Sequence, residues 1–91
     1  MTGLVDSLLK DGVAVRMRAV GASMRPALVG GDEVTVRPLA PGRPASPGEV
    51  VLLRTRAGLV LHRLLGRRKG NGRLLLLTRG DALSRLDPRY L

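Results

Sequence analysis

Ser23 stands in the run Gly21-Ala22-Ser23-Met24-Arg25-Pro26, between a glycine turn and a proline-stiffened one. Glycine reaches backbone conformations closed to other residues, and proline pushes the residue before it toward extended geometry. The hydroxyl and amide of Ser23 are therefore expected on a fixed loop. A hydroxyl presented in this way is a candidate nucleophile, although a serine in such a turn can equally bond its own backbone. Acyl transfer by serine also needs a base, a group that orients the base, and donors for the developing oxyanion. His62 is the only histidine in the chain, and an imidazole, ordinarily titrating near ~6.5, exchanges protons close to neutrality. It shares strand parity with Val60 and Leu64, so its competing role is a local structural bond on an apolar face. Asp81 and Asp87 are the carboxylates available to orient it. Asp81 follows a glycine and is as well suited to bonding the amides of its own turn, the role expected of Asp32 after Gly31. A lysine base finds no candidate: Lys10 precedes the nucleophile in an N-terminal helical stretch, and Lys69 sits at a Gly-rich hairpin tip where water keeps it protonated.

The polar blocks follow one another in a recognisable order. After Ser23-Met24-Arg25-Pro26 come Gly31-Asp32, Gly48-Glu49-Val50-Val51, Leu61-His62-Arg63, and Thr78-Arg79-Gly80-Asp81 followed by Asp87-Pro88-Arg89-Tyr90. From about Gly21 to its C-terminus the chain resembles the signal peptidase and LexA-type superfamily of serine peptidases. It is most similar to the endoplasmic-reticulum and archaeal type of signal peptidase catalytic subunit, where histidine stands in place of the bacterial lysine. The resemblance implies a Ser23–His62–Asp87 triad, because Asp87 lies six residues after Asp81, at the offset of the family's triad carboxylate. Asp81 is the second choice. It also implies an oxyanion hole using the Ser23 amide, substrate contacts at Met24 and Pro26, and no cofactor or metal. One departure stands out: Gly21 occupies the position where many signal peptidases carry a serine whose hydroxyl helps hold the oxyanion.

Composition narrows the alternatives. Ninety-one residues suit one small domain. With no cysteine and a single histidine, neither a disulfide framework nor an ordinary zinc site can be built. The apolar runs Val50–Leu53, Leu59–Leu61 and Leu74–Leu77 are far shorter than the ~20 residues of a membrane helix. Asp6, Lys10 and Asp11 do not read as an export signal, so a soluble cytoplasmic protein is the expectation. Sixteen Lys and Arg against seven acids give a net charge of +9, fourteen of the sixteen being arginine. That surface suits an acidic protein partner, or is simply a solvating arginine coat. Nucleic acid is a poor fit, since Tyr90 is the only aromatic residue on which a base could stack.

The elements that must position these groups are mostly strands. Leu4, Val5, Leu8 and Leu9 recur at helical spacing, with Thr2 as cap and Gly12 as stop, and predict a helix over residues 1–12. Val13, Val15, Met17 and Ala19 alternate with polar or small residues into the Ser23 turn, and Glu33–Arg37 alternates again before Pro38. The proline-rich segment 38–48 reads as an irregular surface loop, a candidate flank for the cleft. Glu49–Arg56, Leu59–Arg67 and Arg73–Arg79 follow as successive hairpins, with Leu74–Leu77 expected to be covered on both faces. The fold class is mainly β, a small coiled antiparallel sheet or barrel of the signal peptidase–LexA type with one short N-terminal helix, in a single domain spanning 1–91. The resulting expectation is a serine endopeptidase that cleaves an extended precursor or leader peptide through an acyl-enzyme. Two alternatives stay open: a non-catalytic peptide-binding or assembly module on the same scaffold, and a self-cleaving regulatory domain.

Overall fold

The computed structural model describes residues 9–40, 44–55, 58–70 and 72–87. Among the described residues five strands run in chain order: β1 Val15–Arg18, β2 Glu33–Val36, β3 Val50–Thr55, β4 Gly58–Gly70 and β5 Arg73–Arg79. All pairings are antiparallel. They form two sheets, β1–β2 and β3–β4–β5.

The period-2 pattern explains the first sheet. Along β1 the inward Val15 and Met17 are half-buried while Arg16 and Arg18 are exposed, and along β2 Val34 and Val36 repeat that alternation against Glu33 and Thr35. Val15 faces Val36 and Arg18 faces Glu33 across the ladder, and Arg16 Nη1 donates to Glu33 Oε1 at 3.2 Å.

Among the described residues the expected coiled or barrel-like closure is not formed. Pro38 has no N–H to give a ladder, and the described residues of the proline-rich segment are irregular, so β2 does not pass its hydrogen bonding on to β3. Those loop residues, Pro38, Leu39 and Ala45, line a wide groove with β2 and β3 rather than the cavity beside Ser23. The helix expected over 1–12 falls largely outside the described residues. Within them, Leu9 and Lys10 are helical, and the Gly12 N–H donates to the Leu9 carbonyl at 3.0 Å, with Gly12 at φ 82°.

In the second sheet Val51 opposes His62 and Thr55 opposes Gly58. The Leu64 N–H bonds the Glu49 carbonyl, and the Gly48 N–H bonds the Leu64 carbonyl, which extends this ladder past Val50. The strand β4 continues to Gly70, beyond the Arg67 end expected, because β5 pairs with it as far as Arg73. Leu65 is an extra residue in this pair: Leu64 faces Thr78, then Gly66 faces Leu77. Such a bulge bends the strand locally. Leu75–Leu77 are half-buried rather than covered on both faces, since the two-sheet arrangement leaves β5 at the edge of its sheet. The buried apolar residues among those described are Ala19, Met24, Leu53 and Leu64, and the deepest pair of side chains, Leu64 and Thr78, face each other across β4 and β5. No helix among the described residues is long and apolar enough to cross a membrane.

Candidate active site

The chain is delivered to Ser23 by β1. Two further bonds carry the β1–β2 ladder past Arg18: Ala19 N–H to the Asp32 carbonyl and Gly31 N–H to the Ala19 carbonyl, both at 2.8 Å. The backbone then turns at Gly21, whose φ of 80° lies in the left-handed region that favours glycine. A tight turn follows, closed by Arg25 N–H to the Ala22 carbonyl (3.2 Å) and Leu28 N–H to the Met24 carbonyl (2.9 Å). Asp32 has the structural role expected of it, accepting the Val29 N–H on Oδ2 at 2.9 Å.

A second segment clamps the Ser23 loop from the far end of β5. The Ala82 N–H donates to the Ser23 carbonyl at 2.8 Å, and the Asp81 N–H points at the Met24 sulfur, 3.4 Å away. Gly80 makes this approach possible. A Cβ on it would lie 2.6 Å from the Ser23 carbonyl oxygen and 3.0 Å from the Ser23 Cβ.

His62 projects from the middle of β4 on the same face as Leu64, and its side chain is 9% exposed. Its Nε2 is 3.1 Å from Ser23 Oγ, and its Nδ1 is 2.5 Å from Asp87 Oδ2. A carboxylate only accepts, so the short contact assigns the donor role to Nδ1, and in the neutral form of the ring Nε2 then turns a lone pair toward the Ser23 hydroxyl. Asp87 reaches this position because the chain folds back after β5: its N–H donates to the Thr78 carbonyl at 2.8 Å, and the Thr78 hydroxyl donates to Asp87 Oδ2 at 2.8 Å. Ser23, His62 and Asp87 thus lie in one hydrogen-bonded line, although 39 residues separate the first two and 25 the last two.

Asp81 is held elsewhere. Arg63 grips it with two parallel bonds, Nε to Oδ1 at 2.8 Å and Nη2 to Oδ2 at 2.7 Å, and the remaining Nη1 donates to the Gly48 carbonyl at 2.6 Å. The second-choice orienter is therefore taken up by Arg63, a strut that ties β4 to the turn after β5 through Asp81 and to the turn before β3 through Gly48. These bonds push the Asp81 carboxyl below the usual carboxylate range against an opposing desolvation effect, and the charges of Arg63, of Arg79 and of the protonated form of His62 add to the lowering. The same bonds raise Arg63. Bidentate pairing of this kind fixes direction as well as distance.

The Met24 side chain is buried, and with Ser23, Ala19, Leu52 and Val60 it lines a cavity of about 100 Å³. Pro26 is exposed and does not line it; the Arg25–Pro26 peptide is cis. Neither the Ala22 nor the Ser23 N–H, both next to a Gly21 that brings no hydroxyl, has an acceptor among the described residues. No cluster of acids and histidine that could hold a metal occurs among the described residues.

Sequence reasoning gave no role to Thr78, to Gly80 or to the Arg63 guanidinium. The signals were present but weak: a hydroxyl closing a run of four leucines, a glycine at a strand end, and an arginine next to the histidine. No protein-family model, curated protein or solved structure matches the chain. What the site can do is read from its own side chains.

Proposed function

We propose that this chain is a serine endopeptidase of the signal-peptidase type, cutting an extended segment of a precursor or leader peptide. The observation that carries the reading is the line Ser23 Oγ, His62 Nε2, His62 Nδ1, Asp87 Oδ2, with links of 3.1 and 2.5 Å. In this mechanism His62 takes the Ser23 proton as the oxygen attacks the scissile carbonyl carbon, and the C=O electron pair moves onto oxygen. The oxyanion is met by the Ser23 and Ala22 amides. His62 then gives its proton to the leaving amine as the C–N bond breaks, and the acyl group stays on Ser23. Water, deprotonated by His62, releases it. Asp87 stays ionised throughout and holds the ring in the tautomer that leaves Nε2 free.

The substrate is a strand laid beside β1. Among the described residues β1 pairs only with β2, and its open side leads to Ser23, the arrangement by which sheet edges read peptides through backbone bonds. A cavity of about 100 Å³ walled by Ala19, Met24, Leu52 and Val60 suits a small apolar side chain next to the cut. The likeness to signal peptidases carries the same preference.

Incubating the purified protein with a library of extended peptides, followed by mass spectrometry of the products, tests the reading. Cleavage by the wild type, lost in Ser23→Ala and His62→Ala variants that keep the wild-type melting temperature, is the expected result. Cleavage retained by Ser23→Ala removes the nucleophile assignment. Gly21, with no hydroxyl for the oxyanion, favours the alternative of a peptide-binding module: it would bind library members without shortening them.

A further inference from the structure

Thr78 is 1% exposed, one of the two most deeply buried side chains among the described residues. It ends the run Leu74–Leu77 on β5 and sits opposite Leu64 in the ladder. Valine would fill that space with the same branched shape and no polar atom to satisfy, and packing alone gives no reason for the hydroxyl. The reason is on the other side of the residue. Thr78 Oγ1 donates at 2.8 Å to Asp87 Oδ2, the same carboxylate oxygen that receives His62 Nδ1.

The segment carrying Asp87 needs such a hold. Residues Ala82 through Leu86 are exposed. Their backbone ties among the described residues are Ala82 N–H to the Ser23 carbonyl and Leu83 N–H to the Gly80 carbonyl, both at the start of the segment. At its far end a single backbone bond, Asp87 N–H to the Thr78 carbonyl, fixes the main chain but leaves the carboxyl free to rotate about its side-chain torsions. The threonine hydroxyl removes that freedom. Because β-branched side chains on strands are stiff at χ1, the donor is itself fixed by the sheet. Backbone acceptor and side-chain donor of one residue thus hold the backbone donor and side-chain acceptor of another.

We infer that Thr78 is a positioning residue for the proposed peptidase: its hydroxyl locks the Asp87 carboxylate so that His62 is kept with its proton on Nδ1 and its lone pair aimed at Ser23. The claim rests on the peptidase reading only for its effect on rate; its effect on the ring is independent of any substrate. A carboxylate that loses one of two donors on the same oxygen tilts, and a ring that loses its acceptor admits the tautomer with the proton on Nε2, which cannot accept from serine.

The single histidine of the chain makes the test unambiguous. Ring nitrogens of ¹⁵N-labelled protein are read by long-range proton–nitrogen correlation in the wild type, Thr78→Val and Thr78→Ser, alongside the rate of reaction with a fluorophosphonate. The wild type and Thr78→Ser are expected to show one tautomer, protonated at Nδ1. Thr78→Val is expected to show averaged or Nε2-protonated ring shifts and about a tenfold slower reaction, the size expected for loss of a bond to a charged acceptor. Unchanged ring shifts in folded Thr78→Val overturn the inference. If Thr78→Val does not fold, Thr78→Cys replaces the hydroxyl by a weak donor of similar size and is judged by the same two outcomes. A wild type that shows the Nδ1 tautomer and its loss in Thr78→Val, yet never reacts with the probe, defeats the peptidase reading and leaves the positioning role standing. A wild type that reacts, with Thr78→Val unaltered in ring and rate, does the reverse.

Discussion

Replacing Gly80 by alanine should disable the proposed site by pushing on Ser23 from behind. Gly80 does not need a left-handed backbone; what it needs is space. The added Cβ would meet the Ser23 carbonyl oxygen at 2.6 Å and the Ser23 Cβ at 3.0 Å, where ordinary contact begins at 3.4 Å, so relief requires a retreat of 3.4 − 2.6 = 0.8 Å at the oxygen and 3.4 − 3.0 = 0.4 Å at the Cβ. That carbonyl also accepts the Ala82 N–H at 2.8 Å, a bond that the same retreat stretches out of range. The Ser23–His62 link starts at 3.1 Å and has little slack for the proposed proton transfer. A misplacement approaching 1 Å costs about 10²-fold in rate, and overpacking of this kind costs about 1–3 kcal/mol in stability, which lowers Tm by roughly 4–8 °C per kcal/mol in a domain of this size. The matched control is Gly66→Ala, since a Cβ there meets nothing within 4 Å. The assay is the rate of fluorophosphonate adduct formation followed by intact mass, with a thermal melt for each protein. Gly66→Ala should react like the wild type while Gly80→Ala reacts about a hundredfold more slowly at a temperature where both are folded. Full reactivity in Gly80→Ala would refute the claim that the turn after β5 sets the position of Ser23.

Two further outcomes follow from the same geometry. Because the folded state holds Asp81 below its ordinary range, the stabilisation is fully present above the unfolded carboxylate value of ~3.9 and is lost as pH falls through the folded value. Asp81→Asn should therefore unfold at lower denaturant than the wild type at pH 7, with the gap closing below about pH 4; a gap constant across that range would contradict the Arg63 strut. Leu64→Ala, at a side chain 1% exposed in a core whose other described apolar members are Ala19, Met24 and Leu53, should cost about 2–5 kcal/mol. Urea titration checks this as a lower midpoint at unchanged slope, and a cost below about 1 kcal/mol would mean that the contact between the faces of β4 and β5 is not the centre of the core.

The strands were legible because their side chains alternate against a solvated face. Val15 and Met17 against Arg16 and Arg18 is a pattern that only a half-buried strand uses, and β1 and β2 lie within one or two residues of where it put them. Sheet closure was not legible, because it depends on which edges meet. A run of prolines between β2 and β3 signals a break in hydrogen bonding but not its consequence for the whole sheet. The half-burial of Leu75–Leu77 was missed for a related reason: an unbroken apolar run reads the same at an edge as between two layers. At the site, residue type and order suggested serine, histidine and a carboxylate, but a separation of 39 residues carries no distance. The competition between Asp81 and Asp87 turns on Arg63, whose fork reaches Asp81 from the neighbouring strand. That pairing is long-range and leaves no local pattern.

Intact-mass and peptide-level mass spectrometry of the protein after exposure to a fluorophosphonate tests the central claim most directly. One adduct per chain is expected, located on the peptide containing Ser23, and absent when His62 is replaced by alanine in a protein that still melts like the wild type. No adduct on the folded wild type, or an adduct on another serine with Ser23 untouched, would contradict it.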